Sequence, residues 1–247
     1  MIRYWQNQES RIRTKTVGIV GGIAPESTVA YYRLIIAAYR QQKPDGSYPS
    51  IVINSIDMTK MLDFVAAHEL DQLVAYLLEE VRKLAKAGAD FGLLASNTPH
   101  IAFEELRSQS PIPLISIVEA TCQAALQLGL KKLGLFGTRF TMQGQFYPEV
   151  FSREGITIAL PDPGDQTYIH DKYMGELVRG VFLPETRAGL LAIVDRLKQR
   201  EGIQGLILGG TELPLILPES AASGIPLLDT ARIHVSAAVA ELLQPAG

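Results

Sequence analysis

The chain has 247 residues, enough for one large domain or two compact halves. Its 47% hydrophobic and 20% charged residues, with 21 glycines and 14 prolines scattered rather than clustered, exclude disordered, collagen-like and low-complexity classes. Lys plus Arg number 23 against 26 Asp plus Glu, a net charge of −3 with no basic stripe, so nothing supplies the phosphate neutralisation that nucleic-acid binding needs.

In chain order, Met1 to Thr16 is charged and precedes no apolar signal-like segment, and no run reaches the 18 or more apolar residues of a membrane span. These features predict a cytoplasmic protein without a membrane partner. The first strand candidate is Thr16 to Val20. It runs into Gly21-Gly22-Ile23-Ala24-Pro25-Glu26-Ser27-Thr28, where glycines close a strand and Pro25 stands where a helix starts without losing a hydrogen bond. That turn suits an anion cradle or simply a tight turn, and it carries neither the GxGxxG nor the P-loop fingerprint of a nucleotide site. Ser50 to Ile56 is the second strand and ends at Asp57. Leu70 to Lys86 is the clearest helix, with Leu70, Leu73, Val74, Leu77, Leu78, Val81, Leu84 and Ala85 on one face and Gly88 as the stop.

Strand Asp90 to Ala95 leads into Ser96-Asn97-Thr98-Pro99-His100, a polar turn after a buried run. Ile112 to Ile117 follows, then Lys132 to Phe136 with the turn Gly137-Thr138-Arg139-Phe140-Thr141, whose N–H groups and hydroxyls are further donors. The last three strand candidates are Ile156 to Leu160, Gly205 to Leu208 and Ile225 to Leu228, the second of them running into Gly209-Gly210-Thr211-Glu212-Leu213-Pro214. Simple helix capping is the alternative for the polar turns, since Ser, Asn and Thr are favoured caps. Alternation of short strands with helical stretches predicts an α/β protein with mostly parallel sheets flanked by helices. The single Cys122 excludes an internal disulfide and reads as a buried core residue. His68, His100, His170 and His234 lack ligand spacing, so no metal is expected.

The chain also repeats itself. Val17 to Gly22 matches Leu133 to Thr138 at an offset of 116, Phe91 to Ser96 matches Gly205 to Gly210 at 114, and Ile112 to Ile115 matches Ile225 to Leu228 at 113. The helices Glu69 to Lys86 and Pro184 to Arg200 keep a similar step. Four ordered matches predict two pseudo-symmetric α/β halves, residues 1–116 plus 225–247 and residues 117–224. If they face each other, the strand ends at Val20, Ser96, Phe136 and Gly210 open into one cleft, the usual ligand position in open α/β sheets.

At these turns the sequence resembles the aspartate/glutamate racemase family, which also includes hydantoin racemases, maleate isomerases and arylmalonate decarboxylases. GGIAPEST is similar to the family's GGMGPEST, SNTPH to its CNTxH and GGTELP to its GCTExP, while GTRFTM and IPLLDT stand where it has GTxxT and IPxxDT. The resemblance runs over nearly the whole chain. It implies an isomerase that uses neither pyridoxal phosphate nor a metal, acts on a small amino dicarboxylate or related carboxylic acid, and forms a homo-oligomer, with a dimer as the expected assembly. It places Gly22, Ile23, Asn97, Thr98, Thr138, Thr141 and Thr211 around the substrate.

The family's mechanism uses two facing cysteines, one thiolate removing the α-proton and one thiol returning it. Here those positions fall on Ser96 and Gly210. An alcohol comparable to water lies about seven pKa units above a thiol, roughly 10 kcal/mol at ~1.36 kcal/mol per unit, so Ser96 is no simple substitute and Gly210 none at all. Asp57 and Lys172 match acidic and basic positions of the family's site, or are a strand-end cap and a solvated helix charge. Glu212 and His100 flank the two vacant positions as candidate replacement acid and base, or as fixed hydrogen-bond partners. A binding or sensor protein that kept the cleft, or a lyase with another base, are the alternative functions.

Overall fold

The computed structural model describes residues 14–218 and 224–245; the charged N-terminal stretch up to Arg13 lies outside the described residues. The first sheet holds β1 (Thr16–Gly21), β2 (Ser50–Ser55), β3 (Phe91–Leu94) and β4 (Leu114–Ile115), all parallel, in the order β2-β1-β3-β4. The second holds β5 (Lys132–Gly137), β6 (Thr157–Ala159), β7 (Gly205–Gly209) and β8 (Leu227–Asp229), also parallel, in the order β6-β5-β7-β8. Helices cover them: α1 (Pro25–Gln42), α2 (Met58–Ala66), α3 (Leu70–Lys86), α4 (Phe103–Gln109) and α5 (Ile117–Gln127) come before β5. They are followed by α6 (Arg139–Gln143), α7 (Phe146–Arg153), α8 (Pro163–Gly175), α9 (Pro184–Glu201), α10 (Leu213–Ile216) and α11 (Thr230–Leu242).

The repeat is preserved in the strand register. Val17 pairs with Phe91 and Val20 with Leu94 in one sheet; Leu133 pairs with Gly205 and Phe136 with Leu208 in the other. The offsets 116 and 114 carry the first ladder onto the second, since 17 + 116 = 133 and 91 + 114 = 205. Strand alternation then sorts side chains to the two faces. Val17 and Ile19 pack with Tyr31 and Ile35 of α1 and Val235 and Val239 of α11, whereas Val20 joins Leu77 and Val81 of α3. Gly18 and its repeat mate Gly134 lie where a helix crosses closest. A Cβ on Gly18 would stand 2.9 Å from Ala89 Cβ, and one on Gly134 2.8 Å from Leu197 of α9.

Two boundaries differ from expectation. The strand expected over Ile112 to Ile117 pairs only at Leu114–Ile115, because Pro113 offers no N–H and Ser116 already caps α5, its hydroxyl accepting the Glu119 N–H at 3.3 Å. The division expected between residues 224 and 225 falls before β8, which pairs with β7 in the second sheet. The chain crosses back only afterwards, with α11, whose Ala231, Val235, Ala238, Val239 and Leu242 pack into the core on the first sheet.

Helix α11 is fixed there by the buried His234. Its Nε2 lies 2.9 Å from the Ile115 carbonyl oxygen and its Nδ1 2.9 Å from the Tyr31 hydroxyl. A carbonyl can only accept, so Nε2 carries the proton and Tyr31 donates to Nδ1. Burial holds the His234 pKa down to about 4 from 6.5, and burial, with His234 as the second cause, holds His100 down to about 3. Both imidazoles are neutral in the folded protein, while the unfolded chain takes up their protons near pH 6.5. Stability is therefore complete above about pH 6.5 and is lost as pH falls toward 4, with a slope approaching about 1.4 kcal/mol per pH unit for each group. Urea midpoints measured from pH 7.5 to 4.5 should fall over this window, and His234→Gln should make the fall shallower by about one proton's worth, though it starts from a less stable protein.

Candidate active site

In each sheet the connections leave in opposite directions between the first two neighbours, β1 and β3 in one and β5 and β7 in the other, and such switch points open a crevice at the carboxyl ends of the strands. A pocket of about 620 Å³, open solvent at its mouth included, occupies that place. Ile23 and Ala24 after β1, Ser96, Asn97 and Thr98 after β3, Thr138 and Phe140 after β5, and Gly210, Thr211 and Glu212 after β7 all line it. Ser96 and Gly210, residues at the same place in the two repeats, therefore border one space.

Hydroxyl pairs join the two halves across this cavity. Ser27 Oγ lies 2.5 Å from Thr211 Oγ1, and Thr98 Oγ1 lies 3.5 Å from Thr138 Oγ1. Thr138 also caps α6, accepting the Thr141 N–H at 3.3 Å, and this is the part the fully buried Thr141 plays; it does not line the cavity. Asn97 is committed elsewhere. Its Oδ1 accepts the Tyr147 hydroxyl at 2.6 Å and its Nδ2 reaches Thr230 Oγ1 at 3.2 Å, so the side chain ties the β3 tip to α7 and α11. Gly22, at φ +85°, shapes the first turn and gives its N–H to Thr28 Oγ1 at 2.8 Å.

The Gly210 turn is covered by a residue that the motifs did not single out. Tyr173 of α8 lines the cavity, and a Cβ built on Gly210 would meet its ring at 2.4 Å from Cε2 and 2.7 Å from the hydroxyl oxygen. The Tyr173 ring thus fills the space that a side chain at 210 would take. Its hydroxyl donates to Glu212 Oε2, which also accepts from Thr211 Oγ1 at 2.8 Å. Burial first, and then the charge of Glu212, push the Tyr173 pKa well above the usual phenol value, so it stays a neutral donor. His170, one turn earlier on α8, lines the same wall. Its Nδ1 accepts the Arg139 N–H at 3.1 Å, and burial, followed by the Arg139 charge, lowers its pKa.

Three expected site residues lie elsewhere. Lys172 does not line the cavity: its ammonium pairs with Glu176, which raises its pKa, and Glu176 also accepts from Thr186. One residue along a helix is a rotation of about 100°, which separates Lys172 from the His170, Tyr173 and Met174 face. Asp57 is exposed and caps α2, accepting the Thr59 N–H at 2.8 Å. His100 is buried behind the β3 tip, stacked on Phe103 at 4.7 Å, with Nε2 accepting the Ile117 N–H at 3.2 Å. Its neutral form holds the start of α5 and does not reach the cavity. Cys122 is buried in the core between α5 and β5, where desolvation raises its pKa to about 11. Among the described residues no cluster of three or more His, Cys, Asp or Glu is arranged for a metal ion, and no helix is long and apolar enough to cross a membrane.

The profile of a family described as Asp/Glu/Hydantoin racemase matches residues 20–238, most of the chain. The chain belongs to this family. Membership brings it among the racemase-type isomerases, and all four cavity turns fall inside the matched range. A curated relative, the broad specificity amino-acid racemase RacX of Bacillus subtilis, is 26% identical over 231 residues, 92% of this chain and 98% of RacX. The crystal structure of an aspartate racemase homologue from Pyrococcus horikoshii shares the fold with a TM-score of 0.81 at 29% identity, covering 93% of this chain and all of that one. A Yersinia pestis protein crystallised as a candidate Asp/Glu racemase gives a TM-score of 0.86 at 31% identity, with 93% and 100% coverage.

The Tyr173 ring sets a testable steric limit. Gly210 has no positive φ, so space and not backbone conformation is what bars a side chain there. Gly210→Cys should lower the melting temperature. Adding Tyr173→Ala should recover part of that loss, with a favourable coupling of about 0.5–3 kcal/mol in a double-mutant cycle; strictly additive effects would mean that the two positions do not compete for space.

Proposed function

We propose that the protein carries out α-proton chemistry on an amino-acid carboxylate held at the two repeat-related strand tips, as a racemase-type isomerase without the paired thiols of its family. The observation that carries this reading is that Ser96 and Gly210, the positions corresponding to the two cysteines by motif, border one cavity together with the buried Glu212. The hydroxyls of Thr98, Thr138 and Thr211 surround that space and are suited to receive a carboxylate and the negative charge that develops on it when the α-proton leaves.

The proton carriers are unequal. On the Gly210 side Glu212 takes the α-proton, directly or through the Tyr173 hydroxyl, which then passes its own proton to Glu212 and remains neutral. On the Ser96 side there is an alcohol, whose conjugate base is out of reach at neutral pH. Removal and return of the proton from the Glu212 side regenerates the starting enantiomer, whereas inversion needs a proton delivered from the Ser96 side. Exchange is accordingly faster than racemisation, and faster for one enantiomer than for the other.

Single-enantiomer amino acids with acidic and with apolar side chains, incubated in deuterium oxide, test this by NMR. The expected result is loss of the α-hydrogen signal from one enantiomer ahead of any optical inversion. Glu212→Gln should slow that exchange by about 10²-fold or more while ligand binding persists. Equal exchange and racemisation rates would require a second competent carrier opposite Glu212. The missing thiols favour one other reading, a carboxylate-binding protein without turnover, for which binding with no exchange of either enantiomer is the result.

A further inference from the structure

The composition of the cavity wall says what kind of amino acid it suits. Polar groups come from the turns at the strand tips, where Ser96, Thr98, Thr138 and Thr211 gather. Most of the remaining wall is apolar, with Met58 and Leu62 from α2, Phe140 from α6, Met174 at the end of α8 and Val178 just beyond it, while His170 and Tyr173 of α8 add an imidazole and a phenol. Leu62 and Phe140 are partly exposed fringes of the first half's core, and Met174 and Val178 of the second half's core. Each therefore presents apolar surface to the space between the halves, surface that a ligand's side chain would remove from water.

No Lys or Arg is among the described residues that line the cavity, and its one acidic member is Glu212. The basic residues next in sequence to lining positions, Arg139, Lys172 and Arg179, do not themselves line the cavity, and Lys172 is paired with Glu176. A ligand with two carboxylates can place one among the strand-tip donors. The second would lie against Met58, Leu62, Met174 and Val178 with no Lys or Arg in the lining opposite, a carboxylic residue nearby and an imidazole, His170, whose Nδ1 is already taken by the Arg139 N–H, an arrangement that desolvates a charge with little compensation.

Resting on the amino-carboxylate reading above, we infer that the cleft selects amino acids with apolar side chains, of the size of leucine or methionine, over aspartate and glutamate. Discrimination of about tenfold or more is expected, the scale that a single methylene achieves in an apolar pocket. Isothermal titration of the wild-type protein with both enantiomers of leucine, methionine, aspartate and glutamate decides the question. Tighter binding of leucine or methionine by at least about tenfold supports the inference, and Leu62→Arg or Met174→Lys should then narrow or reverse the order. Aspartate or glutamate binding as tightly as leucine overturns it. If those dicarboxylates also exchange their α-hydrogen, the proposed chemistry stands and only the selectivity falls. If none of the eight compounds binds, the amino-carboxylate reading fails and the selectivity inference fails with it.

Discussion

Everything at the cleft depends on the two sheets being held with their carboxyl ends toward each other, and the chain achieves this by sending α11 from the second sheet back onto the first. The helix starts at β8, where Thr230 gives its hydroxyl proton to the Leu208 carbonyl of β7 at 2.8 Å and receives a bond from Asn97 at 3.2 Å. One turn later His234 joins α1 to β4. The span from Thr230 to His234 therefore ties the tip of β7 to that of β3 through the buried side chains of Thr230, Asn97, Tyr31 and His234. A polar side chain buried without a partner is costly, so each of these bonds also selects against any arrangement of the halves that would break it.

The same economy explains why the two sides of the cavity differ chemically although their backbones repeat. Parallel ladders with equal register bring Ser96 and Gly210 to equivalent positions, but the side chains that surround them differ between the halves. On one side His100 is withdrawn behind the strand tip and neutral. On the other Tyr173 stands in the space above Gly210 and is bound to Glu212. Symmetry of the main chain thus coexists with an uneven supply of acids and bases, and in the proposed mechanism that unevenness separates proton exchange from inversion.

Much of this architecture was legible in the residues. Alternating aliphatic strands and the periodic face from Leu70 to Leu84 were sufficient for the elements, and the offsets near 115 carried the correspondence down to individual strand pairs. What local pattern could not supply was direction. Lys172 and Tyr173 are neighbours in sequence, yet helical rotation turns one to Glu176 and the other to the cavity. Asp57 and His100 had two readings each, and the deciding facts were contacts with Thr59 in one case and with Ile117 and Phe103 in the other. The signal available for Tyr173 was its spacing from His170 and Met174, a three- and four-residue step on one face of α8, which marks a shared side but not what that side meets. Ser116 and Glu119 carried a capping signal of their own that shortens β4.

The Tyr173 ring has a consequence for how this chain could change over generations. A side chain at 210 and a large ring at 173 exclude each other, so a gene encoding this protein cannot gain a side chain at 210 by one favourable substitution. Position 173 has to shrink first, and that intermediate loses the hydroxyl bound to Glu212 before anything replaces it. The two positions are coupled: a sequence with a side chain at 210 and a small residue at 173 is separated from this one by an unfavourable step. Relatives carrying a bulkier residue at the position of Gly210 are then expected to carry a smaller or displaced one at the position of Tyr173, a pattern of paired change set by van der Waals contact alone.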